Sequence, residues 1–434
     1  MRNLAFLVGG KSVSGVLGLV YLTLAVRALG VEAYGQLALI YAFALTVSTV
    51  VKFQTWQPIL HYGTPALQEG RVADFHRLVR FTVGLDVASS VAGAALAVGG
   101  IWLVGPRIGL PEAILPQASA FGASLLFMVT ATPNGLLRLF DRFDLLLVED
   151  NVEAVIRLAG SLLLFLIGGG LTGFLAVWAL SVVGSGTVCA ALAWRELRRR
   201  VARVPAADLK ASSLTMGFPG MWGFVWSTNI NSSLKLLRGH FATLIVGALL
   251  GTAEAGLFRV ARQIAEALAK PVKLLTPVVY PELARFVADR RFGALQALNR
   301  RTLQVSCIGA GASFLLLAVA GRGLLGVVGG GETAVAYTAM LLLSAAALIR
   351  IAVFVLEPTL ISLGHPALAL GVQGVAAAVY VPLLIVSVRV FGIEGAGGAA
   401  VLASLVVAVL QHLAVSRRVR SRIAAENYGQ GVET

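Results

Sequence analysis

Long apolar stretches alternate with short polar breaks along this chain, and the breaks hold most of its charge. An apolar helix of about 20 residues crosses a bilayer. By that measure the pattern predicts about twelve spans. The first six are roughly 4–28, 35–60, 78–104, 114–138, 145–168 and 172–195. The second six are roughly 218–250, 254–281, 300–321, 334–363, 367–390 and 396–416. The first span carries Lys11 and runs straight into a second, unlike a cleaved leader peptide. Connections such as Gly168 to Gly173 are very short, which leaves no loop large enough for soluble chemistry.

A basic break lies near the middle, with Arg195, Arg198, Arg199, Arg200 and Arg203 beside Pro205. The expected organisation is a six-helix lobe over 1–200, a cytoplasmic linker over 201–213, a second six-helix lobe over 214–416 and a tail over 417–434. The halves resemble each other. Leu29-Gly30-Val31-Glu32-Ala33-Tyr34-Gly35 leads into the second span, and Leu250-Gly251-Thr252-Ala253-Glu254-Ala255-Gly256 into the eighth. At the same offset Arg80 corresponds to Arg301, and prolines (Pro58, then Pro277 or Pro281) are expected to close the second helix of each half. An even number of spans per half gives both halves the same orientation. That is a parallel repeat, with a binding site expected between the lobes.

Composition agrees with a polytopic membrane protein: 58% of the residues are hydrophobic and 13% charged, against about 25% charged in soluble domains. The 48 glycines suit closely packed membrane helices, as in the seam Gly10, Ser14 and Gly18. Two cysteines, Cys189 and Cys307, both in apolar runs, indicate neither a disulfide framework nor a structural zinc site. The net charge of +14 raises the question of nucleic acid. Its placement answers it. With a cytoplasmic N-terminus, nearly all loop arginines fall inside, and only Arg27, Arg107, Arg322 and Arg389 fall outside. The positive-inside rule then puts both termini in the cytoplasm and accounts for the charge without nucleic acid.

The charges within spans carry the functional signal. The first half has Lys11, Lys52, Asp86, Glu149, Asp150, Glu153 and Arg157. The second has Lys235, Arg238, His240, Arg259, Arg262, Glu266, Lys270, Lys273, Arg350 and Glu357. Arg259, Arg262, Glu266, Lys270 and Lys273 recur at helical spacing, within one arc of roughly 80° at about 100° per residue. A charge near the bilayer centre costs at least about 2.5–3.5 kcal/mol, so such residues face a wet cavity or a partner. A cavity lined by guanidinium forks attracts an anion and suits phosphate oxygens. A surface amphipathic helix or internal salt bridges would give the same pattern, and Arg350 and Glu357, seven apart, would pair on one helix face.

Two polar runs stand out. Lys52-Phe53-Gln54-Thr55-Trp56-Gln57-Pro58 offers amides and a flat ring, and Ser227-Thr228-Asn229-Ile230-Asn231-Ser232-Ser233 offers amides and hydroxyls. Such groups satisfy the hydroxyls of a sugar, or bond neighbouring helices. Glu149, Asp150 and Glu153 with Arg157 near the cytoplasmic end of the fifth span are candidates for binding a coupling Na⁺ or proton, or for pairing with arginines such as Arg138 and Arg142. Phosphate-loop, metal-helix and nucleophile-elbow motifs are absent, so neither a cofactor nor a metal is expected.

The stretch Arg27-Ala28-Leu29-Gly30-Val31-Glu32-Ala33-Tyr34-Gly35 resembles the motif that ends the first helix of Wzx-type polysaccharide-biosynthesis flippases. These belong to the multidrug/oligosaccharidyl-lipid/polysaccharide exporter superfamily. Gln54 and Gln57-Pro58, Ala255 to Gln263, Lys270-Pro271 and Tyr280 to Arg285 are similar to the same family, in the same order. The resemblance implies an all-α, MATE-like fold of two six-helix lobes around a V-shaped cavity, working by alternating access. It implies a flippase, not an enzyme, of the bacterial inner membrane. The implied cargo is an undecaprenyl-pyrophosphate-linked oligosaccharide for surface polysaccharide, with a polysaccharide polymerase as a downstream partner. On that reading Lys235, Arg238, Arg259, Arg262, Lys270 and Lys273 hold the pyrophosphate, with Lys11 and Lys52 across the cavity. Gln54, Trp56, Gln57, Asn229 and Asn231 face the glycan. An ion-coupled multidrug or small-solute antiporter of the same superfamily is the alternative, though it would need acids where bases predominate. A membrane glycosyltransferase or polymerase would need a large acidic outer loop.

Overall fold

The computed structural model describes residues 2–201, 218–273, 282–283, 285–287 and 289–430; the side chains of 2–14, 150, 230–238, 268–273, 366 and 423–430 lie outside the description. The described chain is almost wholly helical. Seven helical stretches among the described residues are long and apolar enough to cross a membrane. Two of them, of 54 and 56 residues, hold two crossings each, because bends at Gly30 and Gly392 divide them. Helices Phe143–Ile167, Met221–Leu250 and Thr252–Lys273 are of spanning length but carry the in-span charges. Together these make the twelve crossings that the apolar pattern predicts.

The chain divides into two compact units, Met1–Gly256 and Leu257–Thr434. The expected linker over 201–213 falls, apart from Val201, outside the described residues.

In the first unit α1 (Arg2–Val51) reverses at Gly30, whose φ of 73° and ψ of 171° only glycine adopts without strain. Helices α2 (Trp56–Gln68), α3 (Val72–Val104), α4 (Leu115–Ala123) and α5 (Ala131–Leu139) follow. After them come α6 (Phe143–Ile167), α7 (Leu171–Arg200), α8 (Met221–Leu250) and the start of α9 (Thr252–Lys273). Between α8 and α9, Gly251 repeats the bend of Gly30, with φ 104° and ψ −177°. The two repeated motifs meet. A Cβ on Gly35 would lie 1.8 Å from the Thr252 carbonyl oxygen, and one on Gly256 would lie 2.5 Å from the Val31 carbonyl oxygen. Aligning Gly30 on Gly251 aligns Val31 on Thr252 and Gly35 on Gly256. The contact is therefore reciprocal, like an isologous interface within one chain. The glycines exist in both motifs because two helix backbones touch there.

The second and fourth spans, expected as unbroken helices, are interrupted. The second unwinds over 52–55 and the fourth loosens through Ser124–Phe127 into a break over 128–130. The tenth span, in the second unit, breaks over 353–355, between α11 (Tyr337–Ala352) and α12 (Leu356–Ser362). Each second half opens with a proline at its third residue: Trp56-Gln57-Pro58, Ala131-Thr132-Pro133 and Leu356-Glu357-Pro358. Proline lacks an N–H and its ring collides with the carbonyl four residues back, so the helix cannot run through Gln54, Val129 or Phe354. Pro58 thus opens a half-helix rather than closing one, contrary to the expectation from the sequence. Arg350 and Glu357 consequently sit on different helices, not on one continuous face.

The core of the first unit packs Ile59, Phe75, Leu78, Leu136 and Leu137 with Cys189 and Met221. The second unit continues from Leu257 in α9 through α10 (Phe292–Gly329), a one-turn helix, α11 and α12. It ends in α13 (Pro366–Gln430), bent at Gly392. Leu283, Phe292 and Leu295 pack with Leu360, Leu363, Val415 and Val419.

Candidate functional site

In the first unit the two interrupted helices meet. Lys52 Nζ, in the first break, donates to Thr130 Oγ1, in the second, at 2.7 Å. Three residues on, Thr55 Oγ1 donates to Asp86 Oδ1 of α3 at 2.6 Å, and the backbone N–H of Thr132 donates to Asp86 Oδ2 at 2.7 Å. Thr132 Oγ1 closes the ring on Thr55 Oγ1 at 3.1 Å. Asp86 is 2% exposed. Its carboxylate faces the start of α5, where free N–H groups and the helix dipole favour negative charge. Non-helical backbone at membrane depth persists only where its polar groups are satisfied by protein or water. Here Asp86 satisfies the Thr132 N–H at the second break. Beside Lys52 lies a small cleft lined by Ser48, Ser89, Ser90, Gly93, Leu125 and Met128.

The neighbouring polar run is held too. Trp56 Nε1 donates to Gln54 Oε1 at 3.0 Å, and the guanidinium of Arg138 lies 4.7 Å from the Trp56 ring centroid. Gln57 is half-buried. Asn229 is buried on α8, while the side chain of Asn231 lies outside the described residues.

On α6, Glu149 Oε1 accepts from Asn134 Nδ2 at 3.2 Å, and Glu153 Oε1 lies 2.5 Å from Arg157 Nη2. The side chain of Asp150 is outside the description. Arg157 is 5% exposed and boxed by aromatic rings, 5.9 Å from the centroid of Tyr21, 4.8 Å from Tyr41 and 5.2 Å from Trp178. Its Nε donates to Ser181 Oγ at 2.9 Å and its Nη2 to Tyr41 Oη at 3.2 Å. Arg142 pairs instead with Asp144 and Glu196. At that membrane edge its guanidinium holds the Asp144 carboxyl below the usual carboxylate range.

In the second unit the described part of α9 carries Arg259, Arg262 and Glu266 of the expected stripe. Phe258, Val260, Ala261, Ile264 and Ala265 are buried, and Arg259, Arg262, Gln263 and Glu266 are half-buried. Arg262 Nε and Nη2 both reach Glu266 Oε1, at 2.8 and 2.7 Å. Arg262 Nη1 is buried without a hydrogen-bond partner. A buried guanidinium N–H left open costs roughly 1–3 kcal/mol or more, which an incoming acceptor would recover. The side chains of Lys11, Lys235, Arg238, Lys270 and Lys273 lie outside the described residues. Arg350 Nη1 donates to Ser404 Oγ at 3.2 Å, and Glu357 Oε2 accepts from Gln373 Nε2 at 3.2 Å.

The structure thus brings Lys52 and Asp86 to the same pair of helix breaks, and pairs Arg262 with Glu266. Sequence reasoning gives Asp86 and Arg157 no role of their own and passes over Thr130 and Thr132. The signal available for the threonines is a threonine and a proline together inside an apolar run.

Residues 1–287 match the family described as polysaccharide biosynthesis protein. The chain is 35% identical over 288 residues to the inner membrane protein YghQ of Escherichia coli (strain K12), covering 66% of this chain and 80% of that protein. Among solved structures it is similar to an inward-facing multidrug resistance MATE family transporter of the MOP superfamily, with a TM-score of 0.77, 13% identity, and 98% and 96% of the two chains covered. It is also similar to the lipid II flippase MurJ in an inward closed conformation, with a TM-score of 0.69, 11% identity, and 95% and 88% covered. The fold is MATE-like and polytopic. The protein is a multi-pass membrane protein; the Escherichia coli relative is named an inner membrane protein, and the two similar solved structures are a transporter and a flippase. The chain belongs to the polysaccharide biosynthesis protein family.

Proposed function

We propose that the protein moves an undecaprenyl-pyrophosphate-linked oligosaccharide from the cytoplasmic to the outer leaflet by alternating access. A polysaccharide polymerase would then consume the product. The observation that carries this reading is the open Nη1 of Arg262 beside Glu266, on a helix face that also bears Arg259. A diphosphate offers several acceptor oxygens and would satisfy that donor, with Glu266 releasing Arg262 as it binds. Lys270, Lys273, Lys235, Arg238, Lys52 and Lys11 are assigned to the same anionic group, and Gln54, Trp56, Gln57, Asn229 and Asn231 to the glycan. In a strain lacking the native gene, Arg259→Ala with Arg262→Ala should lower outer-leaflet glycan by at least about tenfold at equal protein level, the loss of one or two charge-assisted bonds. Arg262→Lys should recover only part, because a point charge replaces a fork. Near-normal translocation by the double variant would sink the diphosphate assignment. Collapsing Na⁺ and proton gradients in the same assay tests coupling through Glu149, Asp150 and Glu153.

The orientation we infer has both termini in the cytoplasm. A cysteine introduced at Thr172 should react with an impermeant thiol reagent added outside intact cells. Reaction only after permeabilisation would reverse the topology.

A further inference from the structure

The two units treat their membrane-edge arginines differently. In the first unit many are neutralised. Arg71 pairs with Glu69 and Asp74, Arg77 with Asp74, Arg142 with Asp144 and Glu196, and Arg200 with Glu196. In the second unit, the arginine-rich segments 285–301 and 417–422 form no ion pair among the described residues. Their arginines are exposed, and only Glu282 and Asp289 lie among them. The two segments are neighbours in space, because Leu283, Phe292 and Leu295 pack against Val415 and Val419 between them. Every cation of the patch is arginine; none is lysine.

The patch also sits at a defined depth. Directly after Arg300 and Arg301, α10 exposes Val305 and Ile308, 64% and 73% accessible. Directly before Arg417 and Arg418, α13 exposes Val409 and Leu413, 54% and 45% accessible. One or two turns therefore separate exposed arginine from exposed aliphatic surface on both helices. That is the step from headgroup to hydrocarbon in a bilayer.

From the arginines without ion pairs, their contiguity and their place at the apolar boundary, we infer that this end of the second unit is a binding surface for anionic phospholipid headgroups. Arginine forks grip phosphate oxygens bidentately where an ammonium offers a point charge. A spread of exposed guanidinium groups fits several headgroups side by side better than one diphosphate. Acidic lipids would supply the counter-charge that acids supply in the first unit. This does not depend on what the protein translocates.

The full-length protein is placed in nanodiscs of phosphatidylcholine with phosphatidylglycerol, extracted, and the retained lipids counted by native mass spectrometry. Even one engaged arginine should give about a fivefold preference for phosphatidylglycerol. Changing Arg290, Arg291, Arg300 and Arg301 to glutamine, or in a second variant Arg417, Arg418, Arg420 and Arg422, should remove most of it. Two separate sets are used so that one misfolded variant leaves the other to decide. Arg71→Gln, in the paired set, should retain the preference. Equal retention of the two lipids by the wild type, or an undiminished preference in the folded variants, would overturn the inference. So would displacement of the retained lipid by inorganic pyrophosphate beyond that caused by chloride at equal ionic strength, which would assign the patch to a diphosphate instead.

Discussion

Asp86→Ala should destabilise the protein by about 3–5 kcal/mol, the usual cost of leaving a buried charge network without one partner. The substitution strips the hydrogen-bond acceptor from Thr55 Oγ1 and from the Thr132 N–H, at the point where two helices are already interrupted. It also removes a negative charge that offsets the Lys52 ammonium. Asp86→Asn should cost less, since the amide oxygen still accepts one bond. The decisive comparison is the double variant Asp86→Ala with Lys52→Met. Removing both charges should recover part of the loss, because an uncompensated ammonium is worse than none. The measurement is the thermal midpoint of purified protein in detergent. A double variant no more stable than Asp86→Ala alone would separate Lys52 from the carboxylate.

Arg157→Ala should be of similar size, about 3–5 kcal/mol, again as the removal of a buried, partnered cation. Its box is built from the two arms of α1 and from α7. Tyr21 and Tyr41 stand on either side of the Gly30 bend in α1, and Trp178 and Ser181 lie on α7. Truncation leaves a cavity among large rings and unlinks the two arms of α1. Arg157→Lys should rescue little, because an ammonium cannot stack flat on rings while bonding Ser181 and Tyr41. Glu153→Gln should cost under about 1 kcal/mol, since Glu153 is 38% exposed and its pair is partly screened. If Glu153→Gln destabilised as much as Arg157→Ala, the aromatic box would not be what holds the guanidinium.

The spans were legible because a bilayer demands about 20 apolar residues, and that demand is written locally. So was the bend glycine in each repeated motif, since Gly30 and Gly251 sit at matching places in similar words. The interruptions were not, although Pro58, Pro133 and Pro358 are plain in the sequence. A proline among apolar residues reads equally as a helix end or as the third residue of a new half-helix. What decides is whether partners exist for the freed carbonyls and N–H groups, and Asp86 lies 31 residues from Thr55 and 46 from Thr132. The Arg262–Glu266 pair was legible because the two residues are four apart on one helix. The Arg157 box was not, because Tyr41 is 116 residues away.

Purified protein reconstituted in liposomes with a fluorescent undecaprenyl-pyrophosphate-linked oligosaccharide offers the most direct measurement, with leaflet position read by a membrane-impermeant quencher. Wild-type protein should move the lipid between leaflets, and the Arg259→Ala, Arg262→Ala protein should be at least about tenfold slower while equally well folded. Movement no faster than in protein-free liposomes, under any imposed Na⁺ or proton gradient, would contradict the assignment of this protein as a flippase for lipid-diphosphate glycans.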